Sequence, residues 1–388
     1  MKKIFSLIMA VLLLGLAILT SVNISKTHAL SLKAETIDFN CKAYILIDSN
    51  TGEVLLEKES EKHYEIASMV KLMTSLITME KIESGELNLA TKTTISEHAA
   101  SQEGSQAFLD AHEEYTIEEL LKSVIIASAN DSSVALAETI GGNEFNFVSL
   151  MNKRAEELNL TNTLYANSTG LPALNQYSTA KDVALLLREV NKHDLYKNYS
   201  KIWMDKLVHP SGRETELVNT NRLVKYYPDC DCGKTGFTDE AGYCLSASAK
   251  RNGMRLIAVA MGCTNANDRF TITTNLLNFG FANYNLKNYY LQTDKIEYTN
   301  KIKGIKEKIF VTPEKDICVL TKKVDDTSLE IKTIFKPIKQ KVNKGDTLGT
   351  ILVIKNGIVI EEVNLIAFKD YNMTGLVYYF NNIVKSWK

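Results

Sequence analysis

The spacing of apolar residues along this chain changes from alternating to helical and back again, and that succession confines the fold to a mixed one. Residues 43–47 and 54–56 read as two short strands joined by a turn. Residues 66–84 follow as a long helix closed by Gly85, and its apolar residues nearly encircle it, so other elements must surround it. Thr116-Ile117-Glu118-Glu119 is a capping box, and Ile117, Leu120, Leu121, Val124 and Ile125 carry the helix to about Ala127. Another helix over residues 131–140 stops at Gly141-Gly142, which leaves Ser128, Ala129 and Asn130 in a tight connection. Helical patterns recur over residues 147–158 and 182–190. From Lys234 alternation returns, with residues 243–249 and 254–261 joined across Asn252-Gly253, a strong hairpin signal. A helix near residues 271–279 follows. Strands at both ends with helices between them predict one α+β domain over residues 30–284.

Residues 285–370 hold short β-branched segments, many lysines and a second hairpin at Asn356-Gly357, which predicts a small all-β domain. It carries no constellation of reacting groups and reads as a spacer or contact domain. Residues 371–388 place Met373, Leu376, Val377, Phe380, Ile383, Val384 and Trp387 on one face and asparagines and lysines on the other. Crossing a bilayer takes roughly 20 apolar residues, so this segment predicts an amphipathic helix lying on a membrane surface. At the other end Lys2 and Lys3 precede an apolar run whose only polar member is Ser6, which predicts an export signal over residues 1–29. The remaining chain is then expected at the outer face of the cytoplasmic membrane.

A formal net charge of −1 and the lack of a basic patch give no footing to a nucleic-acid partner. Cys41, Cys230, Cys232, Cys244, Cys263 and Cys318 admit several pairings in an exported chain. The Cys230-Asp231-Cys232 spacing is tighter than that of paired zinc ligands, so structural thiols, free or bonded, are expected and no metal or cofactor is.

Three short motifs carry chemistry in one order: Ser68-Met69-Val70-Lys71, Ser128-Ala129-Asn130 and Lys234-Thr235-Gly236. Each is weak alone, since Ser178 to Lys181 and Ser21 to Asn23 repeat the first two patterns. Ser178 precedes a helix and reads as its cap, and Ser21 ends the export signal. Ser68 and Lys71 share a face in the first turn of a buried helix, where apolar packing and the helix N-terminus lower the lysine pKa toward that of a base. That supplies an activated serine without a histidine. Ser128 can pass a proton to a leaving amine, and the Asn130 amide can hold a peptide group. Lys234 and Thr235 on a strand edge suit a substrate carboxylate, and Gly236 lets a substrate backbone approach as an added strand.

With Thr51-Gly52-Glu53-Val54-Leu55, Asn167-Ser168-Thr169-Gly170-Leu171, Asn219-Thr220-Asn221-Arg222-Leu223 and Lys234-Thr235-Gly236-Phe237-Thr238 beside them, the chain resembles the D-alanyl-D-alanine carboxypeptidases, the low-molecular-mass penicillin-binding proteins. The resemblance implies a β-lactamase/transpeptidase-like fold, an antiparallel sheet with a helical subdomain, working in the cell wall space. It implies that Ser68 attacks the carbonyl between two terminal D-alanines of a peptidoglycan stem peptide, with Lys71 as base and Ser128 returning the proton. Asn130 would hold the acyl part, Lys234, Thr235 and Arg269 the terminal carboxylate, and the N–H groups of Ser68 and Phe237 the oxyanion. β-Lactams would acylate Ser68. Two departures are visible, Ile66 where proline is frequent and Ala129 where one branch has glycine, and neither removes a reacting group. Class A β-lactamases need a Glu-x-x-Leu-Asn stretch; here Glu156-Glu157-Leu158-Asn159 is one residue short, so slow release of penicillin is expected. A β-lactamase, a DD-endopeptidase and a non-catalytic wall-binding protein are the competing readings.

Overall fold

The computed structural model describes residues 39–300, 307–324, 328–337 and 342–371. The expected export signal and the expected amphipathic helix from Asn372 lie outside them. Strand β1 (Ala43–Asp48) is buried along its whole length and pairs with β2 (Val54–Lys58). Three later strands, β3 (Cys230–Thr238), β4 (Gly242–Arg251) and β5 (Met254–Cys263), complete an antiparallel sheet in the order β2-β1-β5-β4-β3. The β4–β5 turn uses Asn252 at φ 49° and Gly253 at φ 83°, the left-handed pair that an Asn-Gly hairpin supplies at little cost. β3 is an edge strand, so the Lys-Thr-Gly segment lies along a free rim of the sheet.

Helix α1 (Lys71–Glu83) is buried at every residue from Lys71 to Met79, because α2 (Ile117–Ile126), α3 (Asn130–Gly141), α4 (Glu144–Glu157) and α5 (Ala180–Val190) all contact it. The capping box of α2 forms: Glu119 N donates to Thr116 Oγ1 at 3.2 Å and Thr116 N donates to the Glu119 carboxylate at 2.8 Å. Ile45, Ile47, Ile257 and Val259 join the core beneath these helices. On the opposite face Leu46 and Leu256 meet α6 (Ala266–Asn283) at Gly280, where a side chain would collide with them. Covering both faces is why β1 reads as a continuous apolar run.

Three expectations are corrected. The stretch over residues 66–84 is not one helix: Ala67–Val70 form a 3-10 turn, entered through Ala67 at φ 46°, and the α-helix starts at Lys71. Ser178 is not a helix cap. Thr179 caps α5 by accepting from Asp182 N at 3.0 Å, while the Ser178 backbone bridges to Tyr64 and its hydroxyl meets that of Thr163 at 2.8 Å. The helix expected near 271–279 begins at Ala266, because the Asn265 side chain accepts from both Asn267 N and Asp268 N. Two hairpins, Lys92–Thr94 with Glu114–Thr116 and Met204–Val208 with Glu214–Val218, are too short and polar to announce themselves by alternation.

The chain continues into a second, all-β region. β6 (Tyr284–Tyr290) pairs with β8 (Ile317–Lys322), and β7 (Phe310–Pro313) joins β9 (Leu329–Phe335), β10 (Thr347–Lys355) and β11 (Ile358–Ala367) in a sheet ordered β7-β11-β10-β9, with Ile296–Glu297 on its outer side. Asn356 at φ 53° and Gly357 at φ 79° turn β10 into β11 as expected. Val311, Ile317, Ile351, Val353 and Leu365 fill its core, and the fully buried Tyr371 locks to Phe310 through both the N–H and the carbonyl. Among the described residues no helix is long and apolar enough to cross a membrane. Cys230, Cys232, Cys244 and Cys263 are buried thiols, and burial raises the pKa to about 12 at Cys230 and about 11 at Cys244, far from a reactive thiolate.

Candidate active site

The three motifs converge where the 3-10 turn, the α2–α3 connection and the rim of β3 meet. In a 3-10 turn residues three apart eclipse one another, so the sequence Ser-x-x-Lys places its two side chains in register. Lys71 Nζ donates to Ser68 Oγ at 3.0 Å, to Asn130 Oδ1 at 2.6 Å and to the Thr169 carbonyl at 2.5 Å, which uses all three of its N–H groups. The ammonium is 0 % exposed, whereas Ser68 is open on one side. Two glycines let the backbone close on this turn: a Cβ on Gly170, at φ 83°, would lie 2.0 Å from the Ala67 carbonyl oxygen, and one on Gly236 would lie 2.6 Å from that of Ile66.

Lys234 reaches across from β3. Its Nζ donates to Ser128 Oγ at 2.7 Å and to the carbonyl of Thr235 at 3.0 Å. Ser128 sits at φ 63°, a left-handed conformation that costs a non-glycine residue about 1 kcal/mol and aims its hydroxyl at the lysine. The connection is pinned by Asn130 N, which donates to the Ser105 carbonyl at 2.7 Å, and by the Asn130 amide, which donates to the Glu103 carbonyl at 2.5 Å. Behind it the buried Asp131 carboxylate accepts from Ala107 N, Leu109 N and Ser132 N. Thr235 Oγ1 donates to Thr220 Oγ1 at 2.7 Å, and Arg269 Nη1 donates to the Gly236 carbonyl at 3.2 Å. Phe237 is half exposed and stacks on Tyr243 with ring centroids 4.2 Å apart.

Electrostatics follow from crowding cations in a dry place. Burial first, and then the charge of Lys234, push the Lys71 pKa well below that of a free lysine, and Asp131 opposes the shift. Lys234 falls to about 7, through burial and then the nearby Arg269 guanidinium. Burial lowers Arg269 too, yet an arginine stays charged. The site thus offers one lysine able to act as a base, one that titrates near neutrality and one permanent cation.

The model of the D-alanyl-D-alanine carboxypeptidase family matches residues 29–265, well over half the chain. The chain belongs to that family. Residues 284–372 match a second family model, the C-terminal domain of penicillin-binding protein 5. Two relatives are close over most of their length. The D-alanyl-D-alanine carboxypeptidase DacF of Bacillus subtilis is 37% identical over 98% of both chains, and DacA of Haemophilus influenzae is 30% identical over 90% of this chain and 91% of its own. Among solved structures, penicillin binding protein 5 from Haemophilus influenzae superposes with a TM-score of 0.73 at 28% identity, covering 86% of this chain and 98% of that one.

In this family member Ser68, Lys71, Ser128, Asn130, Lys234, Thr235 and Gly236 all meet at one place, and Arg269 and Phe237 border it. Ser128 bonds to Lys234, while the donors of Lys71 go to Ser68, Asn130 and Thr169. Sequence reasoning gave no role to Thr169, whose carbonyl orients Lys71, to Thr220, which holds Thr235, or to Asp131. Their backbone and through-partner contacts leave no spacing signal; the polar run Asn167-Ser168-Thr169-Gly170 was the available hint for the first.

Proposed function

We propose that Ser68 is the nucleophile of a D-alanyl-D-alanine carboxypeptidase that trims the last D-alanine from peptidoglycan stem peptides. The observation that carries this reading is the trio of acceptors around Lys71. Thr169 O and Asn130 Oδ1 take two N–H bonds from the amine, so in its neutral form the remaining lone pair points at Ser68 Oγ, 3.0 Å away, ready for its proton. The alkoxide attacks the carbonyl between the two terminal D-alanines, and the N–H groups of Ser68 and Phe237 receive the oxyanion. The departing nitrogen takes a proton from Ser128, which Lys234 holds and replenishes. Lys234, Thr235 and Arg269 hold the terminal carboxylate, while Asn130 supports the acyl half. Water then cleaves the ester and restores Ser68.

A β-lactam places its strained amide at the same carbonyl position, and its leaving nitrogen stays tethered, so the acyl-enzyme persists. Glu156 and Glu157 are exposed at the end of α4, and Glu157 is occupied with Arg154, an arrangement that supports slow release of penicillin. Residues 1–29 serve as the export signal, residues 30–284 form the catalytic domain and residues 285–370 the contact domain. Residues 371–388 rest on the outer face of the cytoplasmic membrane.

The test is D-alanine release from a pentapeptide ending in D-Ala-D-Ala, with the full chain beside its Ser68→Ala variant. Release and penicillin labelling by the parent alone are expected; penicillin labelling of Ser68→Ala would remove Ser68 from the role. Deleting residues 372–388 is expected to move the protein from membrane to soluble fractions, and continued membrane retention would place the anchor elsewhere.

A further inference from the structure

Three thiols, Cys41, Cys244 and Cys263, gather at the end of the central sheet where the chain enters it. In the β1–β5 ladder Tyr44 lies opposite Ala260 and Ala43 opposite Met261. Lys42 N continues the pairing by donating to the Met261 and Gly262 carbonyls at 3.0 and 3.3 Å, which brings Cys41 level with Cys263. Their two thiols hydrogen-bond to each other. Opposed residues of an antiparallel pair stand about 4.5–5.5 Å apart at Cα, within the span that a disulfide bridges without moving the backbone. The other thiols are placed differently. Cys244 Sγ donates to the Ala241 carbonyl at 3.6 Å and accepts from Gly262 N at 3.4 Å. Cys230 and Cys232 follow one another along β3, with Cys232 Sγ turned to Asn191, and Cys318 belongs to β8 of the second region.

The pair lies where a short arm, residues 39–42, crosses the start of α6. Asn40 donates to Thr264 Oγ1 at 2.7 Å and to the Asp268 carboxylate at 3.3 Å, Lys42 Nζ reaches the Glu240 carbonyl at 3.4 Å, and the Phe39 ring meets Tyr44 edge-on at 5.3 Å. The Asn40 and Lys42 bonds are exposed, so water competes for them and they hold the arm weakly. Cys263 stands two residues before Asn265, the cap of α6, and Arg269 follows in the first turn of that helix. Arg269 donates to the Gly236 carbonyl at the catalytic rim, and with Trp203, Arg222 and Tyr226 it lines a groove of about 600 Å³. Whatever fixes residues 263–268 therefore fixes the guanidinium beside the rim.

We propose that Cys41 and Cys263 are a disulfide site, and that the bond clamps the arm to the start of α6 and so positions Arg269. An external disulfide, the chemical class of a thiol–disulfide oxidoreductase in the export space, is the oxidant. Cys41, 9 % exposed against 1 % for Cys263, loses its proton and attacks one sulfur of that disulfide, releasing the first external thiol. Cys263 then loses its proton and attacks Cys41 Sγ, releasing the second. Two protein thiols are oxidised to one disulfide, and the external disulfide is reduced to two thiols. The Cys41 thiol and burial hold the Cys263 pKa up, which makes Cys263 the poorer first attacker and suits it to the second step. Closing a loop that runs from the first strand of the sheet to the last residue of β5 removes much of the freedom of the unfolded chain. The bond forms in the cell only if the chain is exported, as proposed above, because cytoplasmic thiols stay reduced; in purified protein it does not depend on that.

The experiment compares the full chain in detergent after equilibration with oxidised glutathione and after reduction with dithiothreitol. Peptide mapping without reduction is expected to join Cys41 to Cys263, with two fewer titratable thiols in the oxidised protein. Both residues remaining as thiols, or Cys41 joined to Cys244, would overturn the site. Oxidation is expected to raise Tm by about 5–10 °C, and Cys41→Ser and Cys263→Ser should each melt near the reduced parent whatever the redox state. The comparison of oxidised with reduced parent needs no substitution, so it stands even if a variant fails to fold. A bond that forms without raising Tm would overturn the clamp. On a pentapeptide ending in D-Ala-D-Ala the oxidised parent should show a KM about fivefold lower at similar kcat. An equal KM in the two states would overturn the positioning of Arg269, whereas lack of turnover in both would count against the carboxypeptidase reading and leave the mapped bond in place.

Discussion

The catalytic domain and the C-terminal sheet bury different kinds of atoms. Around Ser68 the interior holds Lys71, Asp131 and Lys234, all nearly inaccessible, and two non-glycine residues, Ala67 and Ser128, in left-handed conformations. The sheet beyond residue 284 has an apolar core of Val, Ile and Leu, and its charges pair at the surface, as in Lys308 with Glu297, Lys315 with Glu361 and Lys369 with Glu307. Buried like charges and left-handed backbone destabilise a fold, and they persist only where surrounding contacts over-determine them. Among its described residues the C-terminal region buries no charged side chain, and its left-handed non-glycine residue, Asn356, sits in a hairpin turn where that conformation is cheap. The difference separates a region shaped for reaction from one shaped for rigidity.

Four outcomes would sharpen or break this contrast. The largest is expected from Lys71→Met, which removes the base while filling its space; kcat on the pentapeptide should fall by about 10³–10⁴-fold. A loss under tenfold would mean that another group takes the serine proton. Next, Ile351→Ala hollows the core of the C-terminal sheet and should cost about 2–5 kcal/mol by denaturant melting, with kcat/KM on a soluble pentapeptide unchanged. A parallel fall in kcat/KM would show that the two regions are energetically one.

Lys234→Met tests the strain directly. A lysine whose folded pKa is lowered from 10.5 to about 7 binds its proton more weakly in the folded state, so the fold is penalised most below pH 7 and the penalty fades toward pH 10.5. The variant should therefore be more stable than the parent by about 1–4 kcal/mol at pH 6, with the gain shrinking as pH rises, while activity is lost. Equal stability of the two proteins at pH 6 would count against the strain. The smallest effect lies in the pH profile. Deprotonation of Lys71 should raise kcat/KM with pH, and loss of the Lys234 charge should lower it near 7. A bound carboxylate favours the charged lysine, so the falling limb of kcat should lie at higher pH than that of kcat/KM. Coincident limbs would separate Lys234 from the substrate carboxylate.

The motif residues that meet at the site, the order of the main elements and both Asn-Gly hairpins were legible in the sequence. Each is a local matter: residue types at short spacing, the period of apolar residues, and turn chemistry that only Asn and Gly satisfy cheaply. The 3-10 turn that holds Ser68 was not, because Ala67 adopts its left-handed conformation only where Gly170 and Gly236, from distant segments, close over it. Ser178 likewise reads as a helix cap until Tyr64 and Thr163 are seen to occupy it. What the sequence by itself determined was therefore the chemistry available and the framework that carries it. The tertiary structure alone decided which hydroxyl each lysine holds, how far each lysine pKa falls and how wide the groove beside Arg269 opens. Burial, like-charge proximity and groove volume are sums over segments far apart in the chain, and no local spacing encodes them.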